Sequence, residues 1–156
     1  MTPHELRDGA HDTPGVDRRR IHFAVDVRAT ADRLWDALTR PESIVQWCYP
    51  TRCTLDRLEP GGAYTFHDGD DPADFGEILV ADPPRALRFR WRSSEPEPTI
   101  VDYRLEAAPD GEVTRITFTC GPFRAGPRWD DLYHRDFTGW VSIVMKLKRL
   151  IEAGAL

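Results

Sequence analysis

Pro127-Arg128-Trp129-Asp130-Asp131-Leu132-Tyr133-His134-Arg135-Asp136-Phe137-Thr138-Gly139-Trp140-Val141-Ser142-Ile143-Val144-Met145-Lys146-Leu147-Lys148-Arg149-Leu150-Ile151-Glu152-Ala153-Gly154 is one uninterrupted helical pattern. Its interior holds no proline, and Gly139 is the only glycine inside it. Trp129, Tyr133, Phe137, Trp140, Val141, Val144, Leu147 and Ile151 recur at the three-and-four spacing that gathers side chains on one helical face. Pro127 suits the first helical position, Asp130 and Asp131 the first turns, Lys146, Lys148 and Arg149 the last, and Gly154 the stop. Such a helix must bury its stripe against another layer. The stripe is aromatic and polar-tipped at first, then aliphatic. That change predicts plain core at Val144, Leu147 and Ile151, against the first strand, and a hollow lined by the half from Trp129 to Phe137.

Strands come before the helix. Ile21, Phe23, Val25 and Val27 alternate with polar neighbours, as a half-buried strand does. Thr30 suits the N-cap of a short helix over 31–38, whose apolar side is Leu34, Trp35 and Leu38. Thr39-Arg40-Pro41-Glu42 has the form of a capping box and starts a second short helix that ends near Pro50. Strand-like segments follow at 51–58, 63–67, 75–81, 86–93, 99–107 and 112–120, separated by Gly, Pro and Asp turn signals. In the later segments Leu87, Phe89 and Trp91 oppose Arg88, Arg90 and Arg92, and Val101, Tyr103 and Leu105 oppose Asp102, Arg104 and Glu106. A sheet covered on one face and wet on the other alternates in this way. The arginines are expected to pair across strands with Asp102 and Glu106. The expected fold is α+β: a curved seven-stranded antiparallel sheet around a long C-terminal helix, with two short helices between strands one and two. Residues 1–18 read as a disordered polar tail and 19–156 as a single domain.

Several runs carry a family resemblance. They are Ala31 to Thr39 with its Leu34-Trp35, Pro41 to Trp47, Leu58-Glu59-Pro60-Gly61-Gly62-Ala63-Tyr64, Gly76-Glu77-Ile78, Pro83-Pro84-Arg85-Ala86-Leu87 followed by Trp91, Thr114 to Thr117, and Gly139-Trp140. In this order they resemble the helix-grip fold of the START/Bet v 1-like superfamily. Within it, the chain is similar to the family named for the C-terminal domain of the activator of Hsp90 ATPase, over about residues 21–153. The resemblance implies binding of hydrophobic or amphipathic molecules between sheet and helix, with cyclases and hydrolases among the superfamily's members. It argues against an Hsp90-type chaperone as partner, because the namesake's additional domain and its Asn-Trp-rich motif have no counterpart in the short segment before the first strand.

Composition narrows the function classes. The 156 residues carry a net charge of −5, which speaks against nucleic acid or an anionic membrane as the main partner. Three cysteines without metal spacing read as buried free thiols, and the absence of a signal-like or membrane-spanning apolar run places the protein in the cytoplasm. Candidate cavity residues are Trp47, Tyr64, Phe66, Phe75, Trp91, Tyr103, Trp129, Tyr133, His134 and Phe137; the rival reading is that the aromatic ones fill the core. Gly139 either thins the cavity wall or admits a strand side chain. No catalytic residue, metal site or cofactor is assigned. His67 and His134 lack a visible orienting partner, and the Asp68-Gly69-Asp70-Asp71 turn lacks calcium-loop register. The expected ligand is a small hydrophobic or aromatic molecule bound without chemistry. An enzyme using the same cavity, a protein-interaction module and a homodimer remain open.

Overall fold

Seven strands, β1 (Arg19–Val27), β2 (Arg52–Leu55), β3 (Ala63–His67), β4 (Asp74–Asp82), β5 (Ala86–Arg92), β6 (Thr99–Ala107) and β7 (Thr114–Phe123), pair antiparallel in the order β1-β7-β6-β5-β4-β3-β2. Helices α1 (Ala31–Thr39) and α2 (Pro41–Trp47) link β1 to β2, and α3 (Pro127–Glu152) closes the chain. The expected α+β architecture is therefore present. This computed structural model describes residues 19–92 and 97–156; the expected disordered tail, 1–18, lies outside the described residues.

Alternation along the strands explains the core. Leu87, Phe89 and Trp91, Val101, Tyr103 and Leu105, and Ile116, Phe118 and Cys120 are all buried, and they meet Trp140, Val144, Leu147 and Ile151 of α3 in one cluster. Burying a Leu, Ile or Val contributes roughly 1.5–3 kcal/mol, so the aliphatic half of α3 is anchored chiefly by apolar burial. On the other face, Asp102 is buried between Arg88 at 2.7 Å and Arg104 at 3.1 Å. The expected cross-strand pairing forms between Arg88 and Asp102, whereas Glu106 has no ion pair among the described residues, Arg115 opposite it pairing with Asp26, and Arg90 pairs with Glu77 of β4 at 2.7 Å.

Two local expectations are corrected. The capping box at Thr39 does not form. Thr39 is buried at the end of α1 and donates its hydroxyl to the Trp35 carbonyl at 2.7 Å, so α2 starts at Pro41 without a side-chain cap. Thr30 does cap α1, accepting from the Arg33 amide at 3.2 Å. The last strand also runs on through Gly121-Pro122 to Phe123 rather than stopping at Cys120. Its partner strand shifts register between Arg19 and Ile21, and Gly121 fits against the Arg19 carbonyl there.

Polar contacts latch the C-terminal end of α3. Arg33 reaches the Ile151 carbonyl at 3.1 Å and that of Leu156 at 2.8 Å, satisfying acceptors that a helix end leaves open. Glu152 accepts the Arg28 amide at 2.9 Å and the Lys148 ammonium at 3.0 Å. These bonds favour its charged form and hold its carboxyl below the usual value of 4.5. A depressed carboxyl stabilises the fold above its unfolded value, and that contribution disappears as the pH falls through the folded one. Glu152→Gln should therefore cost about 1–2 kcal/mol at neutral pH, the scale of charge-assisted hydrogen bonds. Urea denaturation at pH 7 and at pH 3 should show the deficit shrinking in acid; an equal deficit at both would contradict the latch.

Candidate functional site

The aromatic side chains of the inner sheet face form a continuous series. Tyr64 touches Phe66 and Phe89, Phe66 meets Trp91 at 5.0 Å between centroids, and Trp91 meets Trp140 of α3 at 6.1 Å. Trp140 continues onto Phe118 at 4.9 Å, and Phe118 onto Phe23 at 4.9 Å. Ring contacts of this kind add directional preference to simple burial.

Beside this series a pocket of about 300 Å³ opens between the middle of α3 and one end of the sheet. Its helical wall is Arg135, Asp136, Gly139, Trp140 and Ile143; the opposite wall is Trp91 of β5, Asp74 of β4 and Tyr49 from the loop after α2. Gly139 is the gap in the wall. A Cβ placed there would meet no atom within 4 Å, so no strand side chain needs the space. Glycine inside a helix costs roughly 1 kcal/mol relative to alanine, and here the visible return is room in the pocket.

The polar groups are unequally exposed. Arg135 and Asp136 pair at 3.3 Å, and the carboxylate is the more buried of the two. Tyr49 donates its hydroxyl to Asp74. Burial first, then that hydrogen bond and the negative charge of Asp74, push the Tyr49 phenol above its usual range, so it keeps its proton. Trp91 and Trp140 are both nine-tenths buried, yet neither indole N–H is hydrogen-bonded to a described residue. Trp47 differs, donating its indole N–H to the Ala37 carbonyl at 2.8 Å.

The ten residues predicted for a cavity fall into separate places. Trp91 lines the pocket. Trp47, Tyr64, Phe66 and Tyr103 surround a residual space of about 20 Å³ deeper in the core, room for about one water, with Trp140 as the shared wall. Tyr64 donates to the Leu38 carbonyl at 3.4 Å. Trp129, Tyr133 and Phe137 lie against the core from the outer edge. Tyr133 packs on Phe123 at 5.4 Å with the Arg19 guanidinium over its ring, and Phe137 faces Phe23 at 6.4 Å. His134 and Phe75 are exposed. The pocket thus sits on the next helical face, because Phe23 and Phe123 fill the space beside Phe137 and Tyr133. Gly139 was visible in the sequence, and its neighbours one turn away, Arg135 and Ile143, follow from helical spacing. Tyr49 and Asp74 carry no such local signal.

The three thiols are held in their unreactive form. Cys48, Cys53 and Cys120 are free and buried, and burial pushes each thiol from 9.0 up to about 12. Thiolate is the reactive form. Among the described residues no three His, Cys, Asp or Glu side chains are grouped to hold a metal, and no helix is long and apolar enough to cross a membrane.

Comparisons with known proteins add the family context. The family model described as activator of Hsp90 ATPase homolog 1-like protein matches residues 28–152. The Aha1 dimer from Colwellia psychrerythraea is similar at 16% identity and a TM-score of 0.75, over 87% of this chain and 98% of that one. PFC0360w, an Hsp90 activator from Plasmodium falciparum, is similar at 14% identity and a TM-score of 0.70, over 85% and 95%. DynU16, a putative protein in the dynemicin biosynthetic locus, is 25% identical with a TM-score of 0.69, over 86% of this chain and 48% of that one. No curated protein matches by sequence.

Two measurements check the site's construction. Gly139→Ala should stabilise the protein by about 1 kcal/mol, whereas Gly62→Ala should cost at least about 2 kcal/mol because its Cβ would collide with the Arg57 carbonyl oxygen. Chemical denaturation reads both, and destabilisation by Gly139→Ala would show that the open wall is wrong. An aromatic disulfide reagent at pH 8 should titrate no thiol in the native protein and all three after denaturation. A rapidly labelled native thiol would overturn the burial assignment.

Proposed function

We propose that this chain, which belongs to the activator of Hsp90 ATPase homolog 1-like family, binds a small hydrophobic or aromatic molecule in the pocket beside Gly139. The observation that carries the proposal is the helical glycine with open space where its side chain would be, set against the buried indoles of Trp91 and Trp140. Ligand sites commonly combine aromatic walls with a few placed polar groups. Tyr49, Asp74, Arg135 and Asp136 would supply them here. Similarity to a protein from a biosynthetic locus points toward a secondary-metabolite-like ligand.

Family membership also raises a protein-interaction role, since one structural relative is an Hsp90 activator and another a dimer. Docking of that kind favours a contiguous apolar surface. The large apolar side chains exposed among the described residues are Tyr49, Leu58, Phe75 and Val80, and the outer sheet face carries arginine–carboxylate pairs instead. Ligand binding is therefore the preferred reading. A homodimer is compatible with it, and the buried free thiols suit a reducing cytoplasm.

A thermal-shift screen of lipids, polyketides and aromatic compounds tests the proposal. A ligand at a hundredfold excess over its Kd stabilises by about 2.7 kcal/mol. At least one compound should raise the Tm of the wild type and fail to do so in Gly139→Phe. A stabiliser unaffected by Gly139→Phe would place binding elsewhere.

A further inference from the structure

Carboxylates along the sheet are paired with arginines almost as a rule. Asp26 meets Arg115 at 2.8 Å, Glu77 meets Arg90 at 2.7 Å, Asp82 meets Arg85 at 3.3 Å, and Asp102 lies between Arg88 and Arg104. Glu106 of β6 has no ion pair among the described residues either, but it stands opposite Arg115 across the strands. The other exception is Asp74. It stands at the start of β4, the strand that also carries Glu77 and Asp82, and among the described residues it has no cationic partner. Its one hydrogen bond comes from the Tyr49 hydroxyl. A phenol that keeps its proton orients the carboxylate without neutralising it.

The surroundings of Asp74 make this exception informative. It lines the pocket together with Tyr49, Trp91 and Trp140, so an uncompensated negative charge stands among three aromatic side chains. Aromatic faces attract cations through their quadrupole, and a nearby carboxylate adds Coulombic attraction. An anionic ligand would meet the opposite field. Arg135 does not reverse the balance, since it is paired with Asp136 and is the more exposed member of that pair.

We propose that the pocket selects aromatic ligands carrying a protonated amine, with Asp74 as the counter-charge and Trp91, Trp140 and Tyr49 as the aromatic walls. This rests on the ligand-binding reading above and narrows it to a class of ligand. Tyr49 is then a positioning residue acting through Asp74, and Gly139 leaves space for the body of the ligand.

A matched set of probes with one skeleton and three head groups tests it: 2-naphthylmethylammonium, 2-naphthylmethanol and 2-naphthoate, titrated calorimetrically into the full chain at pH 7 and low salt. The ammonium should bind at least about tenfold tighter than the alcohol, as a close charge with aromatic walls would provide, and the carboxylate most weakly. Asp74→Asn should abolish the difference between the ammonium and the alcohol. Tyr49→Phe keeps the charge and should keep the preference for the ammonium. If ammonium and alcohol bind equally in the wild type and both are lost in Gly139→Phe, the pocket stands and the amine preference is overturned. Strongest binding by the carboxylate overturns it as well. If none of the three binds, or all bind equally well in Gly139→Phe, the pocket assignment itself falls.

Discussion

Trp140 against Phe118, at 4.9 Å between ring centroids, is the contact on which the arrangement depends. It fixes the rotation of α3 about its own axis. With Trp140 turned to the sheet, Val144, Leu147 and Ile151 follow into the core one, two and three turns later. Leu132 is buried two turns earlier for the same reason. The same rotation brings Arg135, Gly139 and Ile143, neighbours at four-residue spacing, to the pocket. Core and pocket are thus two consequences of one helical phase. The polar latch of Arg33, Lys148 and Glu152 at the far end of α3 holds the helix at that position.

The pocket exists because one side chain is missing where the packing would have accepted it. Most glycines with close neighbours are explained by those neighbours: Gly62 by the Arg57 carbonyl, Gly121 by Arg19. Gly139 has none, so its effect is to leave volume. Around that volume the molecule places two indoles, a phenol that keeps its proton and a carboxylate without a cation. Their shared location is the physical basis for assigning function there and not to the tightly filled aromatic core.

Much of the fold was legible in the sequence because burial imposes a period. Alternation in β5, β6 and β7 and the three-and-four stripe of α3 report directly which faces are covered. The site was less legible because a cavity is the difference between the volume enclosed and the volume filled. Tyr133 and Phe137 have the residue types of a ligand wall, but Phe23 and Phe123, distant in sequence, fill the space beside them. Tyr49 and Asp74 meet only through pairing of β2, β3 and β4. Local motifs misled in two places. Thr39 takes a bond within its own helix instead of capping the next, and the last strand, expected to end at Cys120, runs on through Gly121-Pro122 to Phe123.

The most direct measurement of the account is a crystal structure of the full chain with 2-naphthylmethylammonium bound. Density for the naphthyl rings is expected beside Gly139, against the pocket-facing sides of Trp91 and Trp140, with the ammonium toward Asp74. Density among Phe23, Tyr133 and Phe137, or within the core beyond Trp140, would contradict the division of α3 into a core face and a pocket face.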